Sequence, residues 1–256
     1  MKRLVVMALY LFTFLVAPQV SGLRSRTATA AEVAPTKPTA DPLADILASL
    51  ETPPAPDLVK PNLLPGEHWV PTFKLTEEVD GPIVKTLIAN IKSANELGAE
   101  AILLQINSPG GSVWDGFDLM QAMEESNIPV NCVVDGMAAS MAYNILQSCN
   151  TRMMTPRSTL MVHQAALGGQ VYGHQDTFAT LAARLAAVDE AMLWQEGHRL
   201  HITLDQLRAK VAHGAEWWTA FHEAKEVGQV DRVVKSIRQV QDSYRLTLHP
   251  PRKQVR

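Results

Sequence analysis

Three short segments of this 256-residue chain hold the residue types that acyl transfer by a serine requires. Residues 105–116 read QINSPGGSVWDG, residues 135–143 read DGMAASMAY, and residues 160–165 read LMVHQA. Together they offer a diglycine turn whose amides can hold an oxyanion, Ser140 as an attacking hydroxyl, and His163 as an imidazole to take its proton. Each segment also has a plain reading. Ser140 at a small-residue strand-to-helix turn is an ordinary helix cap, Pro109-Gly110-Gly111 is a good tight turn, and a lone histidine ending an apolar run is usually structural. Their order and combination favour the chemical reading.

The surrounding pattern supplies elements to position these residues. Ala101–Ile106 is a short apolar run bounded by polar residues, a buried strand leading into the diglycine turn. Residues 128–134 form a second strand leading toward Ser140, with a helix over Ser140–Gln147. Residues 151–155 and 158–164 give two more strands, the latter ending at His163. Helices are expected over Asp80–Leu97, stopping at Gly98, over Asp115–Glu125, and from about Gln175 to His201. Shorter ones cover Leu204–Ala212 and Phe221–Val227, and VDRVV at 230–234 closes with a strand. Strands alternating with helices at this spacing argue an α/β fold with largely parallel pairing. The long helix carries a wide apolar stripe, Phe178, Leu181, Leu185, Val188 and Met192, expected of a packed helix and compatible with a contact between subunits. Trp217-Trp218 reads as a loop anchor.

The termini differ from this body. Lys2 and Arg3 precede an apolar stretch, Leu4–Ala17, with small residues at 20–22 and 28–30, the layout of a secretory signal. Its fourteen apolar residues are short for a spanning helix, which needs about 20. Residues 1–30 therefore read as a signal peptide or membrane anchor, which makes an exported protein, periplasmic or anchored, the expectation over a cytoplasmic one. Residues 31–66, with Pro53-Pro54-Ala55-Pro56, read as a Pro/Ala-rich linker with one short helix at Asp41–Leu50. A folded domain spans 67–238, and 239–256 reads as a flexible, solvated tail.

Charge and inventory exclude several classes. The chain has 23 basic and 26 acidic residues. Loss of residues 1–30 would remove four Lys/Arg and no acid, so nucleic acid is not an expected partner. HExxH is absent, and no metal or cofactor is implied. A Ser–Lys dyad fails because no lysine lies between Lys92 and Lys210. The two cysteines, Cys132 in a strand and Cys149 near the end of the next helix, are expected as buried thiols, since helix–sheet spacing near ~10 Å exceeds the ~7 Å Cα limit for a bridge.

NSPGGS at 107–112, GMAASM at 136–141, MVHQ at 161–164, ALGGQVYG at 166–173 and EAKEVGQVD at 223–231 resemble, in the same order, the ClpP family of serine peptidases, the proteolytic subunits of the Clp protease. The resemblance runs from the helix near Asp80 to the strand near Val234. It implies a ClpP/crotonase-like spiral of strand-strand-helix units with a protruding handle helix after Gln170–Gly173. It implies Ser140 as nucleophile, His163 as general base, and the amides of Gly110, Gly111 and Met141 as oxyanion hole. The family's acid, counted back from Gly228, falls on Glu216; Asp205, at a helix start, and Asp231, beyond the final turn, fit less well. It also implies polypeptide substrates, stacked homo-oligomeric rings, and an ATP-driven unfoldase if the protein is cytoplasmic. The competing functions are a catalytically inactive ring scaffold and a crotonase-type acyl-CoA enzyme, which shares the two-amide oxyanion hole.

Overall fold

The computed structural model describes residues 58–63, 68–168 and 170–246. The signal-like segment, most of the linker with its expected helix at 41–50, and the chain after Leu246 lie outside these residues. Residues 58–63 form neither helix nor strand, but Leu58 and Leu63 pack against the core.

Helices and strands alternate as the apolar pattern requires. Strand β1 (Thr72–Leu75) leads into helix α1 (Gly81–Glu96), whose first turn is capped by Asp80 accepting the Ile83 N–H at 3.0 Å. Strand β2 (Ile102–Ser108), helix α2 (Val113–Glu124), strand β3 (Val130–Ala139) and helix α3 (Met141–Gln147) follow. Strands β4 (Thr151–Met154) and β5 (Thr159–Val162) precede the long helix α4 (Gln175–Gly197). The chain then forms α5 (Leu204–Val211), a 3-10 turn at Ala212–Gly214, β6 (Trp217–Ala220), α6 (Phe221–Glu226), β7 (Arg232–Val233) and α7 (Ile237–Leu246).

The described strands make one sheet in the order β1-β2-β3-β4-β7, with β5 joined to both β3 and β6. Every pairing is parallel except the antiparallel β5–β6 ribbon. Strand β3 forks. Its first half, Asn131–Val134, pairs with β4, and its second half, Met137–Ala139, pairs with β5. At the fork the β2–β3 register jumps from Ile106↔Val134 to Ser108↔Ala138. Gly136 takes φ +124° there, and a Cβ would collide with the Asn107 side chain, whose Oδ1 accepts the Met137 N–H at 3.0 Å. The fork turns the sheet into the spiral layout that the sequence resemblance implies.

Both faces of the sheet are covered, which is why its strands read as continuous apolar runs. Ile102, Leu104, Ile106, Cys132, Val134 and Met154 face the main core under α1 and α3. Leu103, Val133 and Met153 face a second, smaller cluster closed by Val240 of α7. This corrects the reading of a solvated tail from Gln239. Ile237, Val240 and Tyr244 recur at helical spacing, and the Tyr244 hydroxyl accepts the Asn131 amide at 2.7 Å. Strand β6 is a second addition, with Trp217 buried at 6% exposure and Trp218 outside at 47%.

The motif EAKEVGQVD locks the far end of the sheet. Asp231 receives the Arg152 guanidinium at 2.7 and 3.2 Å and the Arg152 backbone N–H at 2.7 Å. Burial alone would raise the Asp231 pKa, but the hydrogen bonds and charge of Arg152, with Arg199, hold it below the usual carboxylate range.

The cysteines also depart from expectation: Cys132 and Cys149 form a disulfide, with Cα atoms 5.8 Å apart. The helix–sheet spacing does not apply, because α3 ends at Gln147. Cys149 lies in the descending turn, one residue before Asn150, whose N–H bonds the Val130 carbonyl. The bridge therefore joins neighbouring strand ends and closes the β3–α3 unit that carries Ser140. Replacing both cysteines with alanine should lower stability by ~3 kcal/mol, the order given by loop entropy for a bridge of this span. Urea unfolding of the double variant under oxidising conditions checks this.

Candidate active site

The parallel strands β2, β3 and β5 lie side by side, and their carboxyl ends lie at one edge of the sheet, the edge where α/β sheets place their ligands. The register Ala139↔Met161 sets Ser140 at the end of β3 beside the end of β5, where His163 leaves the sheet. The Ser140 N–H donates to the Met161 carbonyl at 2.9 Å, fixing the turn. Ser140 has φ 53° and ψ −126°, a conformation rare for a non-glycine residue and the kind that projects a side chain from a strand-to-helix elbow. Its hydroxyl caps nothing in α3. It lies 2.7 Å from His163 Nε2, so hydroxyl and imidazole share a hydrogen bond in line for proton transfer.

The diglycine turn leaves β2 on the other side. Gly110 takes φ +96°, and a Cβ on it would sit 2.6 Å from the Ala139 carbonyl, 2.7 Å from Ser140 Cβ and 2.8 Å from the Met141 nitrogen. Only glycine lets this turn lie against the serine elbow. Among the described residues neither the Gly111 N–H nor the Met141 N–H has an acceptor, so both remain free for an oxyanion. The Gly110 N–H is different. It donates to Ser108 Oγ at 3.2 Å, while Ser108 donates to the Glu77 carbonyl at 2.5 Å. The sequence expectation of three candidate donors thus reduces to Gly111 and Met141.

Glu216 is not joined to the pair. It stands one residue before Trp217 and His163 one residue after Val162, the last partners of the β5–β6 ribbon, so the backbone approaches as expected. Its carboxylate instead accepts the Trp218 indole N–H at 2.8 Å, and the residue is exposed. Trp218, two residues along the strand, lies on the same side of β6 as Glu216 and takes its carboxylate. Among the described residues no carboxylate hydrogen-bonds the His163 ring. Asp205 pairs with Arg208 on the surface, and Asp231 is held by Arg152 and Arg199.

Behind the serine lies a buried polar cluster that hydrophobic periodicity gives no sign of. Tyr143 and Asn144, in the first turn of α3, meet Glu196 from the last turn of α4 and Gln229. Tyr143, Asn144, Glu196 and Gln229 are all at most 1% exposed. Within the described structure the Tyr143 hydroxyl, Asn144 Oδ1, Glu196 Oε2 and Gln229 Nε2 lack hydrogen-bond partners. Burial first, and then the charge of Asp189, push Glu196 up to about 8, while the neighbouring Asn144 side chain pulls the other way.

The Clp protease family model matches residues 71–237. The chain belongs to that family. A proteolytic subunit 1 of the ATP-dependent Clp protease from Chlamydia pneumoniae is 30% identical over 184 residues, 70% of this chain and 93% of the relative. The corresponding protein of Protochlamydia amoebophila is 30% identical over 145 residues, 56% of this chain and 69% of its own length. The proteolytic subunit of Bacteroides thetaiotaomicron is 29% identical over 163 residues, covering 62% and 72%. The match spans β1 to the start of α7, so the fork, the serine elbow and the handle helix all belong to the Clp protease architecture, and the chain is a ClpP-like peptidase.

The Glu196 position makes a pH-dependent prediction. A carboxyl whose folded pKa is raised from 4.5 to about 8 contributes stability that is complete below pH 4.5 and is lost as pH rises to about 8. Glu196→Gln cannot ionise. Its unfolding free energy relative to the native protein should therefore increase from pH 5 to pH 8 and level off above, as measured by urea titration at a series of pH values.

Proposed function

We propose that the protein is a serine endopeptidase in which Ser140 attacks a peptide carbonyl and His163 acts as general base, then as general acid. The observation carrying this reading is the 2.7 Å hydrogen bond between Ser140 Oγ and His163 Nε2, reached from a strained elbow beside two free amides. His163 takes the hydroxyl proton as the C–O bond forms. The tetrahedral oxyanion sits on the N–H groups of Gly111 and Met141, and the imidazolium then protonates the leaving amine. Water repeats the sequence to release the acyl group. The Ser–His bond favours this reading over an acyl-CoA enzyme, which needs no such pair.

Polypeptide is the substrate class that the relatives' names and the site's surroundings support. Trp114, in the first turn after the diglycine loop, is 70% exposed. With Phe117 of α2 and Ala187, Val188 and Ala191 of α4 it lines an apolar groove of about 400 Å³ edged by Arg184, suited to side chains of an extended peptide. Assembly into homo-oligomeric rings is supported by the handle. Leu167, Val171, Tyr172 and Phe178 are exposed, and α4 becomes buried only from Met192 onward.

Export is the localisation we favour. The signal-like N-terminus and the Cys132–Cys149 disulfide agree, since structural disulfides persist in oxidising compartments. A protein there works without an ATP-driven unfoldase and degrades peptides or loosely folded chains; in the cytoplasm an unfoldase would be the partner.

Fluorophosphonate labelling tests the mechanism. The native protein should label and cleave a fluorogenic peptide, and Ser140→Ala should abolish both. Glu216→Gln should leave kcat within about threefold, whereas loss of a true triad acid costs about 10⁴-fold. Absence of labelling in folded, assembled protein would instead point to an inactive scaffold.

A further inference from the structure

We propose that Asp189, on the handle helix, is the positioning residue that holds His163 in register with Ser140. The inference rests on the Ser–His reading above and adds to it the group that takes over the acid's orienting task.

The histidine is supported unusually. One ring nitrogen faces Ser140 Oγ, and among the described residues the other meets no carboxylate. An imidazole without a partner on that side keeps its orientation only if its backbone is fixed. The sheet fixes it as far as Val162, the last residue of β5 to pair with β6. Beyond that point the two residues after His163 are held by a single side chain. The Ala165 N–H donates to Asp189 Oδ1 at 2.6 Å, a short charge-assisted bond. The Gln164 Nε2 donates to Asp189 Oδ2 at 3.2 Å. Gln164 Oε1 in turn accepts the Gly214 N–H at 3.4 Å, tying the same segment to the turn before β6.

Asp189 suits this role. It is half-buried on α4, one turn before Met192 and Leu193 anchor the helix in the protein's interior. Both its oxygens are engaged by groups of the His163 segment, and among the described residues no hydrogen bond or ion pair ties it to a cation. The adjacent Glu190 behaves oppositely, pairing with Arg208 at 2.7 Å on the surface. A partly desolvated carboxylate matched to an N–H and an amide, with no cation of its own, fixes the path of the backbone it binds. Asp189 never reaches the reacting atoms. It acts through Ala165 and Gln164, so its removal should alter turnover more than substrate binding.

The test uses the full chain with a fluorogenic peptide and the fluorophosphonate probe. Asp189→Ala should lower kcat by about 10- to 100-fold, the loss expected when a catalytic group is displaced by about 1 Å. KM should stay within about twofold, and the labelling rate should fall in parallel with kcat. Asp189→Asn keeps an acceptor for the Ala165 N–H and should recover to within about fivefold of the native kcat, with an unchanged thermal midpoint. If Asp189→Ala does not fold, this variant decides alone: a kcat two- to fivefold below native at an unchanged midpoint supports the role. Glu190→Ala, one residue along, should match the native protein. The proposal is overturned if Asp189→Ala, or Asp189→Asn where it must decide alone, turns over within twofold of native while Ser140→Ala is dead; the Ser–His reading then survives. If the native protein neither labels nor cleaves, both fall together.

Discussion

The site depends on one constraint, the parallel pairing of the second half of β3 with β5. The register Ala139↔Met161 brings Ser140 level with Val162, one residue short of His163, and the Ser140 N–H to the Met161 carbonyl fixes it. Side chains one strand apart are then close enough for the 2.7 Å contact. A slip of one residue would flip every β5 side chain relative to β3 and move the imidazole off the hydroxyl that the elbow turns toward it. The fork that makes this pairing available is secured locally. Gly136 bends β3, Asn107 takes the Met137 N–H, and Ser158 Oγ, itself donating to the Val134 carbonyl, accepts the Gly136 N–H.

Around that register the protein places its polar and covalent bonds where the backbone would otherwise be free to move. The disulfide closes the β3–α3 unit behind the serine. The Arg152–Asp231 pair joins β4 to the chain entering β7, and Arg199, two residues beyond α4, reaches the same carboxylate. Glu196 then packs the last turn of α4 against the first turn of α3. The long helix is thus pinned to the catalytic layer near its C-terminal end, while its N-terminal half carries exposed apolar residues.

Much of this was legible in sequence where signals are local. Apolar runs gave β2 to β5, the stop at Gly98 gave the end of α1, and the glycine, serine and histidine segments lay in the order the family requires. What escaped depends on partners distant in the chain. Helix α7 is polar but for Ile237, Val240, Tyr244 and Leu246, and its role follows only from the second face of the sheet needing cover. Strand β6 is four residues whose pairing rests on β5. Cys149, expected near the end of a helix, lies in the turn after it. Glu216 was brought to the right neighbourhood, but the rotamer is set by Trp218. Asp189 and Glu196 interrupt an apolar stripe, and nothing within α4 reveals that their partners are Ala165 and Asn144.

The most direct test is a crystal structure of the protein inhibited by a peptidyl fluorophosphonate. The account predicts phosphorus bonded to Ser140 Oγ, the phosphoryl oxygen within about 3 Å of both the Gly111 and Met141 nitrogens, and His163 Nε2 beside the leaving-group position. A phosphoryl oxygen directed away from both amides, or an adduct on a different residue, would contradict it.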